Sequence, residues 1–155
     1  MSLPTTQQTE LKEQRGIRQA EDDLVQWIEA ALNTCAYGKS GRNKLEESQF
    51  RNLVRVADTT DSAEVIKNFL RYQVGREAKW GRGKDSLAER IVRDIDDALQ
   101  KKATQIAQAA GSDNVKAIWL ELIRRYLGYG SRHLTYLNFL REQESKDSKD
   151  SKSKK

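Results

Sequence analysis

The chain has 155 residues, of which 33% are charged and 37% hydrophobic, a size that supports one domain with a single modest core. It holds one cysteine, Cys35, which excludes an intrachain disulfide and a cysteine-cluster metal site. No apolar run approaches the about 20 residues that cross a bilayer, and the polar N-terminus has no signal-peptide pattern. We therefore expect a cytoplasmic protein without membrane contact.

Helical periodicity recurs along almost the whole chain, while the period-two pattern of strands is nearly absent. This predicts an all-α fold, a compact bundle of about five helices. The predicted helices lie within about 10–37, 44–57, 61–80, 86–110 and 112–140. Expected helix starts are Thr60 or Asp61, Ser86 and Ser112, Gly111 is an expected stop, and Gly128-Tyr-Gly130 predicts a kink or break.

The two ends of the chain differ from the middle in composition. Residues 142–155 repeat Ser-Lys-Asp, contain no apolar residue and predict a disordered tail. Residues 1–10 are also expected to be disordered. The helical bundle domain is thus predicted to span residues 11–141.

The excess of positive charge is concentrated in one segment. The whole chain carries a net charge of +5. Residues 37–84 hold eleven Lys and Arg against six Asp and Glu, an excess of the same size. Such a concentration favours an anionic partner, above all RNA or DNA.

Within this segment, apolar and basic residues fall on separate helix faces. Phe50, Leu53, Val54 and Ala57 share one face of the second helix, whereas Arg51 and Arg55 lie on another. In the third helix a row of cations lies beside an aromatic residue and Gly75, which suits a polyanion that comes close to the backbone. Trp80 and Tyr72 are the candidates for stacking on bases. The predicted RNA-binding residues are Arg42, Lys44, Arg51, Arg55, Lys67, Arg71, Tyr72, Arg76, Lys79, Arg82 and Lys84.

The chain lacks a recognisable catalytic or cofactor-binding constellation. His133 stands alone, which favours a structural or surface role, and the segment Gly38-Lys-Ser-Gly does not match a phosphate-binding loop. The aspartates Asp94, Asp96 and Asp97 are expected to form surface ion pairs with Arg90, Arg93 and Lys101 rather than a metal site. We predict a protein that is no enzyme and needs no cofactor or metal.

One segment resembles a known family. Glu47-Ser-Gln-Phe-Arg-Asn-Leu-Val-Arg55, followed by a basic helix and two longer helices, resembles the small all-helical subunit of type III CRISPR effector complexes. The likeness is closest to the Csm-type small subunit, in which a Ser-Gln-Ile-Arg-like start precedes an amphipathic helix. It covers roughly residues 44–140.

The resemblance implies a non-catalytic subunit of an antiviral ribonucleoprotein, present in several copies that stack head to tail along a filament of other effector subunits. It implies that Arg51, Arg55 and the basic row of the third helix contact phosphates along the path of guide and target RNA. It also allows self-association.

Two other functions remain open from the sequence. A helical adaptor would bind a protein partner through the apolar Trp119–Leu127 helix and have no role with nucleic acid. An enzyme that uses His133 or the aspartates is the weaker alternative.

Overall fold

The computed structural model describes residues 5–153, and it confirms the all-α bundle: this part of the chain contains no strand, only one isolated bridge between Ala36 and Ser86. The helices are α1 (Thr5–Gln19), α2 (Glu21–Thr34), α3 (Glu47–Thr59), α4 (Ala63–Arg76), α5 (Leu87–Asp94), α6 (Gln100–Ala110) and α7 (Val115–Ser153). Only Ala20 separates α1 from α2, and a π-helical turn, Ile95–Leu99, joins α5 to α6. The described helices therefore form the five predicted units.

The centre of the bundle is α7, which packs against α2, α3 and α6. Between residues 118 and 134 its apolar side chains are buried on several sides of the helix, as expected for a helix surrounded by others. They are Ile118, Leu120, Leu122, Ile123, Tyr126, Leu127 and Leu134. α3 contributes Phe50, Leu53 and Ala57 to the same core, in agreement with the predicted face.

The glycines of α7 do not break the helix, which is continuous through Gly128 and Gly130, so the break that the sequence allows is absent there. Gly130 is buried, and a Cβ there would lie 2.7 Å from Ile28 Cγ1 and from Phe50 Cζ. The missing side chain therefore lets α2 and α3 approach α7 closely. Gly128 has open space around its Cβ position instead.

A buried polar cluster joins α7 to the end of α5. The Tyr126 hydroxyl donates to Asp94 Oδ2 at 2.6 Å, and Arg90 Nε donates to Asp94 Oδ1 at 3.1 Å. The indole of Trp119 donates to the Ile95 carbonyl at 2.7 Å, where the π-helical turn begins. These contacts satisfy the polar groups that the packing of α7 on α5 removes from water.

Helix ends agree with the predictions only in part. Ser86 Oγ accepts from Glu89 N, and Gly111 adopts a left-handed conformation (φ +67°) that ends α6, both as predicted. α4 is capped by Ser62, not by Thr60 or Asp61, because Ser62 Oγ is the atom that accepts from Val65 N. Ser112 Oγ accepts from Asn114 N, so Ser112 lies in the turn before α7.

At both ends of the chain, where the sequence predicts disorder, the described residues are helical. α1 begins at Thr5, and α7 continues to Ser153 as a helix that is exposed from Glu142 through Ser151. Lys, Asp and Ser do not prevent a helix from continuing once a preceding core helix has nucleated it, because propagation costs far less than nucleation. Residues 1–4 and 154–155, part of the same prediction, lie outside the described residues.

The two glycines of α7 should respond oppositely to the same substitution. Gly130→Ala places a methyl group against Ile28 and Phe50, and we expect it to lower the free energy of unfolding by about 1–3 kcal/mol. Gly128→Ala meets no atom and should raise it by roughly 0.5–1 kcal/mol. Urea denaturation of both variants measures the difference; equal effects would contradict the close approach at Gly130.

Ionisation of the Tyr126 hydroxyl should make the free energy of unfolding depend on pH in the alkaline range. Burial, then the charge and hydrogen bond of Asp94, raises the pKa of Tyr126 well above its ordinary 10.0. In the unfolded chain this hydroxyl ionises near pH 10, so the free energy of unfolding should fall as pH rises beyond that value. Tyr126→Phe should show a shallower fall above pH 10 and cost about 1.5–3 kcal/mol at neutral pH, measured by urea denaturation. An unchanged alkaline slope would contradict this role.

Candidate nucleic-acid interface

The segment rich in Lys and Arg folds as a helical hairpin, α3 and α4, with a loop at its open end. Gln49 Nε2, in the first turn of α3, donates to Glu77 Oε2, directly after α4, at 2.9 Å. The start of α3 therefore lies beside the end of α4, and the two helices run antiparallel. Their short connection, residues 60–62, is at the opposite end.

Two loops pair at this open end. Gly38 N donates to the Lys79 carbonyl at 3.0 Å, and Ala36 exchanges backbone hydrogen bonds with Asp85 and Leu87 on its two sides. Residues 36–38 thus lie against residues 79–87, and the rest of the first loop turns back so that Leu45 N donates to the Gly38 carbonyl at 2.8 Å. Gly81 is needed at this contact, because φ is +80° and a Cβ would lie 2.2 Å from the Ala36 carbonyl oxygen.

Most of the predicted RNA-binding residues are exposed on this hairpin and its paired loops. We call them the basic surface: Arg42, Arg51, Arg55, Arg71, Tyr72, Arg76, Arg82 and Lys84. Within residues 5–153, none of its cations forms an ion pair with a carboxylate. Tyr72 is 57% exposed, and the Arg76 guanidinium lies 5.9 Å from the centre of its ring.

Acidic residues lie at both ends of the hairpin, but in different proportion to the cations. Around the α3–α4 connection, residues 58–64 hold Asp58, Asp61 and Glu64 and no cation. The open end holds four acids and seven cations, the acids being Glu46, Glu47, Glu77 and Asp85 and the cations Lys39, Arg42, Lys44, Arg76, Lys79, Arg82 and Lys84. The open end therefore keeps an excess of positive charge that the connection lacks. A phosphate chain would be attracted chiefly to the half that includes the paired loops.

The structure corrects the prediction for Lys67. This side chain is buried, with 6% of the residue exposed, and its ammonium lies 2.6 Å from Glu64 Oε1 and 2.8 Å from Asp96 Oδ1. It connects α4 to the π-helical turn and does not face solvent. Burial acts to lower the pKa of Lys67, but hydrogen bonds and charge attraction from Asp96 and Glu64 outweigh it and raise the pKa above 10.5.

Three further candidate residues are less accessible to RNA than the sequence predicts. Lys44 lies 3.6 Å from Glu142 and Lys79 lies 3.7 Å from Glu77, so each phosphate contact would compete with a carboxylate. Trp80 is fully buried, and its ring packs 5.4 Å from that of Phe50. Trp80 is therefore a core residue, and the prediction that it stacks on bases is wrong.

Only some of the ion pairs expected in the predicted helix 86–110, which corresponds to α5 and α6, are formed. Arg90 pairs with Asp94, whereas the Arg93 guanidinium donates to the Lys84 carbonyl at 3.2 Å. Arg93 thereby extends the basic surface, which sequence reasoning missed because nothing in the sequence shows that this loop folds back on α5. Lys101 is exposed on α6.

His133 connects α7 to α2. Its Nε2 lies 2.9 Å from Asn33 Oδ1 and its Nδ1 lies 3.5 Å from Glu29 Oε1. Within the described part of the chain, no three His, Cys, Asp or Glu side chains are arranged to hold a metal ion. No helix there is both long enough and apolar enough to cross a membrane.

Comparison with known proteins identifies no relative of this chain. No protein-family model, no curated protein and no solved structure matches this chain.

Reversing the charge of Lys67 should lower the free energy of unfolding, whereas reversing that of Arg71, one turn later, should hardly change it. Lys67→Glu buries a third carboxylate beside Glu64 and Asp96 and should cost about 3 kcal/mol or more. Arg71→Glu is exposed and should stay within about 0.5 kcal/mol of the parent. Urea denaturation at pH 7 tests the pair.

The ion pairs of Lys67 also predict a pH dependence. Because its pKa is raised in the folded state, their stabilisation is fully present below about pH 10.5 and is lost as pH rises through the raised pKa. A Lys67→Met variant lacks the stabilisation by these ion pairs, so its free energy of unfolding should fall less than the parent's as pH rises above about 10.5. Equal losses would contradict the contact.

Proposed function

We propose that this protein is a non-catalytic RNA-binding small subunit of a type III CRISPR ribonucleoprotein, which contacts the path of guide and target RNA through the basic surface. The observation that supports RNA binding is a set of seven exposed cations on adjoining elements, none paired with a carboxylate among the described residues. Exposed cations without an ion pair can contact phosphates without first breaking a contact to a carboxylate.

The chemistry of the basic surface fits recognition without sequence preference. Six of its seven cations are arginines, whose planar guanidinium can donate two hydrogen bonds to one phosphate. Phosphate contacts position a protein on nucleic acid without reading its bases. In a guide-programmed complex base pairing supplies the specificity, so such a surface is what the protein component requires.

The end of α4 supports a close approach of the RNA backbone. Gly75 is exposed in the helix, and a Cβ there would meet no atom, so the core does not require a glycine. A glycine inside a helix costs roughly 0.5–1 kcal/mol compared with alanine. Flanked by Arg71, Tyr72 and Arg76, it leaves a gap in which a phosphate group could reach the helix, while Tyr72 offers a face for one base.

The resemblance supports the more specific assignment to a CRISPR complex. The segment that carries it, Glu47–Arg55, forms the first two turns of α3. Its two arginines, Arg51 and Arg55, are exposed on the solvent side, whereas Phe50 and Leu53 enter the core. Other effector subunits would be the protein partners.

An adaptor that binds only protein is the second candidate, but on a different surface from the one predicted. Of Trp119–Leu127, the apolar residues Leu122, Ile123, Tyr126 and Leu127 are buried in the core. Further along α7, Tyr136 and Phe139 are 55% and 53% exposed. Aromatic residues exposed together favour a protein contact there.

Charge reversal on the basic surface tests the RNA proposal. Arg51→Glu, Arg71→Glu and Arg76→Glu combined should weaken binding of a labelled 20-nucleotide single-stranded RNA on the order of 100-fold at low salt, and flatten the salt slope by about 2. Fluorescence anisotropy between about 50 and 200 mM salt measures both. The fold should persist, because all three residues are exposed.

A matched control separates local contacts from net charge. Arg18→Glu, Lys101→Glu and Lys116→Glu make the same charge change at exposed positions outside the basic surface. If this control weakens RNA binding as much as the first variant, the basic surface is not the site. If neither variant affects RNA binding while Tyr136→Ala with Phe139→Ala abolishes association with a copurifying protein, the adaptor function is favoured over the RNA proposal.

A further inference from the structure

A second cationic feature lies on other helices, in a groove between α1 and α6 with a volume of about 450 Å³. Lys12, Arg15 and Gln19 line it from α1, and Lys102 and Gln105 line it from α6. Among residues 5–153, no acidic side chain lines the groove. The residues fall outside the basic segment 37–84, so charge counting along the sequence does not detect them.

The packing of α1 on α6 fixes the shape of the groove. At its floor Gly16 lies so close to Ile106 that a Cβ would be 2.7 Å from Ile106 Cγ2. Toward one end Glu13 accepts hydrogen bonds from Ser112 and Asn114, and toward the other Asp23 lies 3.1 Å from Lys102. The two helices therefore run antiparallel. Polar contacts flank both ends of the groove, one between α1 and the turn before α7 and the other between α6 and α2.

The cations are spread along the groove instead of converging on one point. The lining of α1 runs from Lys12 to Gln19, about 10 Å at 1.5 Å per residue. Lys12 and Arg15 are exposed and have no carboxylate partner within residues 5–153, whereas Lys102 shares its charge with Asp23. This spacing suits a chain of anionic groups better than a single small anion.

We propose that the α1–α6 groove is a second binding site for the phosphodiester backbone of RNA. Arg15 offers a bidentate phosphate contact and Lys12 a point charge. The amides of Gln19 and Gln105 both donate and accept, so they can bond to ribose 2′-hydroxyls between phosphates. The choice of RNA over another polyanion rests on the proposed function; the presence of an anionic chain in the groove rests on its own residues.

The groove and the basic surface lie on different flanks of the molecule. α3 and α6 both pack against α7, while α1 packs on α6 and α4 packs on α3. One protein molecule can therefore contact two separate stretches of RNA, and α7 forms the rigid body between them.

The test compares two double variants with the same charge change: one alters two groove residues of α1, and the other alters one residue of α1 and one of α6 outside the groove lining. Lys12→Glu with Arg15→Glu should weaken binding of the 20-nucleotide single-stranded RNA at least about 10-fold and flatten the salt slope by about 1.4. Arg18→Glu with Lys101→Glu, exposed and outside the groove lining, should leave both quantities near the parent's values. Thermal unfolding monitors the fold, and Lys12→Gln with Arg15→Gln should give an intermediate loss without charge repulsion.

Variants that combine substitutions in both sites show which of the two proposed RNA-binding sites is wrong. If the groove binds RNA, the residual RNA binding of the Arg51, Arg71 and Arg76 reversal variant disappears when the groove variant is added. If the basic-surface variant alone binds like the parent while the groove variant does not, the basic surface fails and the groove stands. The groove proposal is overturned if Lys12→Glu with Arg15→Glu binds RNA with the parent's affinity and salt slope.

Discussion

The close packing around the middle of α7 is the constraint on which the rest of the structure depends. At Gly130 the side chains of Ile28 and Phe50 reach the helix backbone, so α2 and α3 are held against the same turn of α7. Farther toward its start, Tyr126 and Trp119 bond to Asp94 and to the Ile95 carbonyl. Every helix that carries a candidate RNA contact is thus fixed, directly or through one neighbour, by contacts with α7.

The position of the candidate sites follows from this arrangement. Because α7 uses several of its faces for the core, the shorter helices form the outer layer and supply the surface charges. The hairpin of α3 and α4 presents one set of cations, and the antiparallel pair of α1 and α6 presents another. Lys67 does not belong to either set: its bonds to Glu64 and Asp96 hold α4 against the π-helical turn. A surface held in this way loses little conformational freedom when a ligand binds.

The sequence predicted the parts of this fold that depend on local pattern. The 3.6-residue period placed Phe50 and Leu53 inward and Arg51 and Arg55 outward, and the chemistry of Ser86 and Gly111 marked two helix boundaries. The failures come from contacts between residues far apart in the chain. Lys67 has the same local pattern as Arg71, and only the position of Asp96, 29 residues later, shows which of the two is buried. Trp80 is flanked by polar residues and cations, yet its ring packs on Phe50. The α1–α6 groove combines residues about 90 positions apart, which no local pattern connects.

The burial of Trp80 has a consequence for spectroscopy. This residue belongs to the short turn Ala78–Trp80, directly within the paired loops that carry Arg82 and Lys84. Because its indole is enclosed by the core, a ligand cannot reach it by stacking, and a solvent-borne quencher can reach it only if the loops separate. In a variant without Trp27 and Trp119, its emission therefore reports whether the open end of the hairpin keeps its packing when the surface above it is occupied, independently of any direct contact between ligand and ring.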